Sequence, residues 1–162
     1  MINKILIKLC KEVLRESYEK DGREAGAILN INTMEYAIHE ATKYTTLDFA
    51  EDELVDYHLI HDNADIGSCI IIHNHNDASS FSARDVLSLV DDIKTIGIIV
   101  ITSRCSINII TKDRHTDYSE VSDCIRDNYK VSVITPDIRN MMKSKGLIER
   151  RVTTWENIQQ RN

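Results

Sequence analysis

The chain opens on a helical rhythm. Ile5, Leu6, Leu9, Val13 and Leu14 recur near a 3.6-residue period with Lys and Glu between them, which predicts a helix over 3–19 with one buried face. Asp21-Gly22 ends it as a turn. Ala25 to Ile31 is short, apolar and mostly small, the pattern of a strand, and Asn30-Ile31-Asn32 reads as the turn that follows. Met34 to Thr46, rich in Tyr, Ile and Thr, reads as a second strand region, although 35–43 also fits a helix. Leu54, Val55, His58 and Leu59 give helical spacing over 52–62.

The middle of the chain is the clearest. Ser68 to His73 is a dense β-branched run after Gly67, expected as a central strand buried on both faces. A polar loop over 74–81 leads to Ser82-Ala83-Arg84-Asp85, a capping-box pattern, and then to the helical spacing of Val86, Leu87, Leu89, Val90 and Ile93. Gly97–Thr102 and Ser106–Thr111 are two further strands that can pair as a hairpin. Beyond His115 the pattern weakens. A helix is expected over 118–126, a short apolar patch over 131–134, and a helix from Pro136 to about Lys145 before Gly146. Glu149–Asn162 reads as a polar tail without periodicity. Strand, helix, strand, strand predicts an α/β sandwich.

Composition narrows the class. The 162 residues fit one domain, and 42% hydrophobic with 28% charged residues is ordinary for a globular chain. Lys and Arg number 20 against 26 Asp and Glu, and the resulting −6 argues against a general nucleic-acid or anionic-membrane binder. Cys10, Cys69, Cys105 and Cys124 form no C-x-x-C pair, and each is expected to be a buried, reduced thiol. Lys4 and Lys8 interrupt the apolar N-terminal stretch and no small-residue cleavage site follows, so a cytoplasmic protein is expected, with no membrane span.

The chemistry concentrates at 73–85. His73-Asn74-His75 is a weak motif by itself, but at a strand end residues i and i+2 share a face, so both imidazoles converge. Asp85 falls in the first turn of the next helix, close to Ser82. Two imidazoles and a carboxylate are three protein ligands, and a tetrahedral Zn²⁺ so held keeps one open position, as hydrolytic sites do. The plainer alternative is a helix cap at Ser82 and Asp85, a satisfied buried His73 and an exposed His75. A hydrolase also needs a general base. Glu24, Glu35, Glu40, Glu51 and Glu53 are candidates, and the pattern places Glu24, at the head of an apolar strand, narrowly first.

The run Ile71-Ile72-His73-Asn74-His75-Asn76-Asp77-Ala78-Ser79-Ser80-Phe81-Ser82-Ala83-Arg84-Asp85 resembles the H-x-H, loop, S-x-x-D signature of JAB/MPN-type (JAMM) zinc metalloproteases. It is most similar to their small bacterial and phage-associated branch. The resemblance spans about residues 22–112 and implies a cytidine-deaminase-like α/β/α sandwich with a mixed, curved β-sheet. The whole chain, 1–162, would be a single domain, with 113–162 an accessory helical region.

By the same resemblance His73, His75 and Asp85 are the zinc ligands. Glu24, in Gly22-Arg23-Glu24-Ala25-Gly26-Ala27-Ile28-Leu29, is the catalytic glutamate, and Ser82 stabilises the tetrahedral intermediate. Asn76 departs from the proline usual after the second histidine, and the loop loses that residue's fixed φ. The implied activity is zinc-dependent cleavage of peptide or isopeptide bonds in a protein or peptide substrate, ubiquitin-like or with an extended tail. The alternative is a non-catalytic binding or assembly module of the same fold. A zinc deaminase would need H-x-E and P-C-x-x-C, and the chain has neither. A phosphoesterase is disfavoured by the lack of further metal-binding clusters.

Overall fold

A computed structural model describes residues 2–40, 54–128 and 134–152. In chain order these form α1 (Ile2–Glu19), β1 (Ala25–Asn30), β2 (Tyr36–Glu40), α2 (Val55–Asp62), β3 (Cys69–Asn74), α3 (Ala83–Asp91), β4 (Thr95–Ile101), β5 (Ile107–Thr111), α4 (Ser119–Asp127), α5 (Pro136–Ser144) and β6 (Ile148–Val152). The strands make one open sheet in the order β2-β1-β3-β4-β5-β6. β3 and β4 run parallel, joined by the α3 crossover, and every other neighbouring pair is antiparallel.

The two-residue alternation of the strands divides the core into two layers. Ala25, Ala27 and Leu29 of β1, Ile72 of β3, Ile99 and Ile101 of β4 and Ile107 of β5 pack with Leu9, Cys10 and Val13 of α1. The alternate positions Ile28, Ile71, Ile98, Val100 and Ile110 pack on the other face with residues of α2, α3, α4 and α5, among them Tyr57, Val86, Val121 and Ile138. The molecule is a mixed α/β domain in three layers, helix, sheet, helices. β3 sits between both layers, which is why its sequence reads as an unbroken apolar run.

Several expectations meet the structure directly. The helix over 3–19, the strands at 25–31 and 68–73, the capped helix after Ser82 and the hairpin of β4 with β5 are all present. Tyr36–Glu40 takes the strand alternative over the helix, and residues 41–46 of that expected strand lie outside the described residues. So do 52–53 of the expected helix, 131–133 of the apolar patch, and Trp155.

Two expectations need correction. Glu149–Val152, read as the start of a polar tail, belong to strand β6 (Ile148–Val152), which pairs with β5. It escapes the pattern because it is an edge strand whose residues are mostly exposed, and Glu149, Arg150 and Arg151 charge it as edge strands commonly are. The cysteines also differ from one another. Cys10 and Cys69 are buried, and burial pushes their thiols up to about 12 and about 11. Cys124 is half-buried, while Cys105 is exposed at positive φ in the turn between β4 and β5. All four are free thiols.

Candidate metal centre

The C-terminal end of β3, the start of α3 and the N-terminal end of β1 come together on the face of the sheet that carries α3. His73 belongs to β3, and His75 lies one residue past its end. The His75 N–H donates to the Ile101 carbonyl at 2.8 Å, which carries the pairing with β4 one residue further. With residue 74 turned to the other face, the two rings converge, Nε2 to Nε2, at 3.2 Å. Asp85 closes the group. One carboxylate oxygen is 3.0 Å from His73 Nε2 and the other 3.5 Å from His75 Nε2. Among the described residues, these three form the cluster able to hold a metal ion.

Asp85 is aimed by the helix start. The Ser82 N–H and hydroxyl donate to Asp85 Oδ2 at 2.6 and 2.7 Å, and the Asp85 N–H donates back to Ser82 Oγ at 3.1 Å. This is the expected capping box, with Asp in the place more often held by Glu. The helix cap and the ligand role are therefore not competing readings. The cap satisfies Oδ2 and leaves Oδ1 facing His73. Burial by itself would raise the Asp85 pKa. The charge and hydrogen bond of His73, with the bonds from His75 and Ser82, outweigh it and hold the carboxyl well below the usual carboxylate range. At His75 burial opposes the charged form, but Asp85, the Ser79 carbonyl and the charge of Glu24 prevail, and its pKa is raised.

The donor set fits a small divalent cation. A tetrahedral zinc site with bonds of about 2.0–2.2 Å has ligand-to-ligand edges of roughly 3.3–3.6 Å. The two edges that share His73 Nε2, 3.2 Å to His75 Nε2 and 3.0 Å to Asp85 Oδ1, fall close to that span. Two neutral imidazoles meeting through Nε2 can share only one hydrogen, whereas a cation takes a lone pair from each. Three protein ligands also leave a position open to water or substrate.

The β1–β3 register places the glutamates. Gly26 pairs with His73. Continued two residues beyond that last pair, the antiparallel register sets Glu24 opposite His75. Gly26 brings no side chain to the space beside His73. Glu24 is half-buried, and its charge acts on His75. Glu35 lies at the opposite end of the β1–β2 hairpin, where it accepts a bond from Thr33 Oγ1 at 2.8 Å and its carbonyl accepts from Asn30. Glu40 pairs in register with Ala25, and Glu51 and Glu53 lie outside the described residues.

One residue of the arrangement was passed over in the sequence. Asn74 turns to the α1 face, where its Oδ1 accepts the Ala25 N–H at 2.7 Å and its Nδ2 donates to Ser17 Oγ at 3.0 Å. It thereby fixes the backbone immediately after Glu24 to β3 and to α1. The only signal was a polar residue between two histidines at the end of an apolar strand. Comparison of the chain with protein-family models, with curated proteins and with solved structures returns no match.

Proposed function

We propose that the protein is a zinc-dependent hydrolase of peptide or isopeptide bonds, of the JAB/MPN (JAMM) type. The observation that carries this reading is the convergence of His73, His75 and Asp85 at a strand end, and the charge of Glu24 acting on His75 supports Glu24 as the base. A bound Zn²⁺ would supply a Lewis acid for the scissile carbonyl and lower the pKa of water at the site. Glu24 accepts the proton of the attacking water and returns it to the leaving amine, the two transfers that amide cleavage requires. Its partial burial and its neighbourhood to His75 suit a carboxylate that must gain and lose one proton in each turnover.

Ser82 has two parts in this account. Its hydroxyl holds Asp85 in place, and the same hydrogen, turned from Asp85 Oδ2 to the substrate oxygen, stabilises the developing oxyanion. The chain is taken as one domain of cytidine-deaminase-like fold acting in the cytoplasm. Pairing of β6 with β5 supports a C-terminal region integral to the same sheet. The substrate class is a protein or peptide, either ubiquitin-like or with an extended tail.

The test is the Glu24→Gln variant loaded with zinc and assayed on isopeptide-linked di-ubiquitin and on a quenched-fluorescence peptide library. Full zinc content with turnover lost is expected. Turnover equal to that of the wild type rejects Glu24 as the base. No cleavage of any probe by zinc-loaded wild type rejects the hydrolase in favour of a metal-bearing binding module.

A further inference from the structure

The loop between His75 and Ser82 carries two exposed polar side chains that the account above leaves without a task, Asp77 and Ser79. His75 Nδ1 lies 3.2 Å from the carbonyl oxygen of Ser79 and 3.2 Å from its Oγ. The Ser79 hydroxyl makes a short hydrogen bond to Asp77 Oδ1, and the Ser79 N–H donates to that same oxygen at 2.8 Å. The Asp77 carbonyl in turn accepts the N–H of Ser103 at 2.8 Å, from the turn between β4 and β5. The loop is thus tied to the β4–β5 turn on one side and to the imidazole on the other.

The order of donors and acceptors along this chain is determined. An ionised carboxylate only accepts, so the single Ser79 hydroxyl hydrogen goes to Asp77. What Ser79 then offers to His75 is a hydroxyl lone pair and a carbonyl, both acceptors. The hydrogen in that contact must therefore sit on His75 Nδ1. When the ring is neutral, Nε2 is left with its lone pair directed at the point shared with His73 and Asp85. Solution imidazoles do not hold this arrangement on their own, and a partner on the far nitrogen is the usual means of fixing it.

We infer that Asp77 and Ser79 are positioning residues which, through a carboxylate–hydroxyl–imidazole chain, fix the tautomer and ring orientation of His75 for coordination of a divalent cation. This rests on the metal-centre reading.

The test is metal affinity, measured by Co²⁺ absorbance titration and by Zn²⁺ competition against a chelator. Asp77→Ala and Ser79→Ala are each expected to weaken binding about ten-fold, at the lower end of such effects because the Ser79 carbonyl stays. Asp77→Asn and Ser79→Thr, which keep the acceptor and the hydroxyl, should stay within about two-fold of wild type. In a His75→Ala background, Ser79→Ala should change residual affinity no further, an outcome that a general loosening of the loop would not produce. Wild-type affinity in both alanine variants, equal losses in the conservative variants, or a further loss in the His75→Ala background overturns the inference. If wild type binds neither ion, the metal centre itself is rejected and the inference falls with it.

Discussion

Replacing Asn74 with alanine tests the framework that holds Glu24 beside the histidines. Asn74 is 4% exposed, Ser17 6% and Ala25 0%, so water cannot readily replace what the side chain provides. Asn74→Ala leaves the buried Ala25 N–H without its 2.7 Å acceptor, which costs about 1–3 kcal/mol, and removes the 3.0 Å bond to Ser17, worth about 1 kcal/mol. The expected loss is about 2–4 kcal/mol, less than the ordinary total stability of a domain, so the variant should still fold.

Urea denaturation reads this as a fall in midpoint of roughly 1–2 M with an unchanged slope. Ser17→Ala should lose only about 1 kcal/mol, and the double variant should lose less than the two singles together, since they share a bond. Because Asn74 faces α1, zinc stoichiometry should be retained. A loss below about 0.5 kcal/mol in Asn74→Ala, or strict additivity with Ser17→Ala, refutes the reasoning.

Two further predictions concern the α3 ends. Ser82→Ala removes the helix cap and the aim of Asp85. Denaturation should show a loss of about 1 kcal/mol, and Co²⁺ titration roughly ten-fold weaker binding; unchanged binding would show that Asp85 needs no support. At the other end, His61 Nε2 meets Asp92 Oδ2 at 2.8 Å. The Asp92 hydrogen bond raises the His61 pKa. Burial works to raise that of Asp92, but the bonds from His61, Thr95 and Lys94 lower it to about 2. The raised histidine contributes stability fully below its unfolded value of about 6.5 and loses it as pH climbs through the folded one. The depressed aspartate contributes above about 3.9 and loses its share as pH falls toward 2. The stability difference between wild type and His61→Ala should peak between roughly pH 4 and 6.5, and a difference that stays level to pH 9 contradicts the pairing.

What could be read from the sequence follows from how local each signal is. His73, His75, Ser82 and Asp85 were legible because strand alternation and a helix cap are short-range rules acting within thirteen residues. Glu24 was only narrowly first, since its place depends on β1 pairing with β3, a register that no local pattern prints. Asn74 stayed hidden because its partners lie 49 and 57 residues away. Ile148–Val152 was missed for the opposite reason. Its pairing with β5 is made by backbone, and exposed edge side chains carry no alternation to betray it. Cys105 looked like a core thiol beside apolar runs, but the hairpin that those runs form needs a turn, and the cysteine sits in it.

The central claim is that His73, His75 and Asp85 hold one divalent metal ion. Metal analysis after zinc loading and desalting, run side by side on wild type and Asp85→Ala, tests it most directly. The account predicts one zinc per chain in the wild type and loss of stoichiometric zinc in the variant. A wild type that retains no zinc, or an Asp85→Ala protein that retains one equivalent, contradicts it.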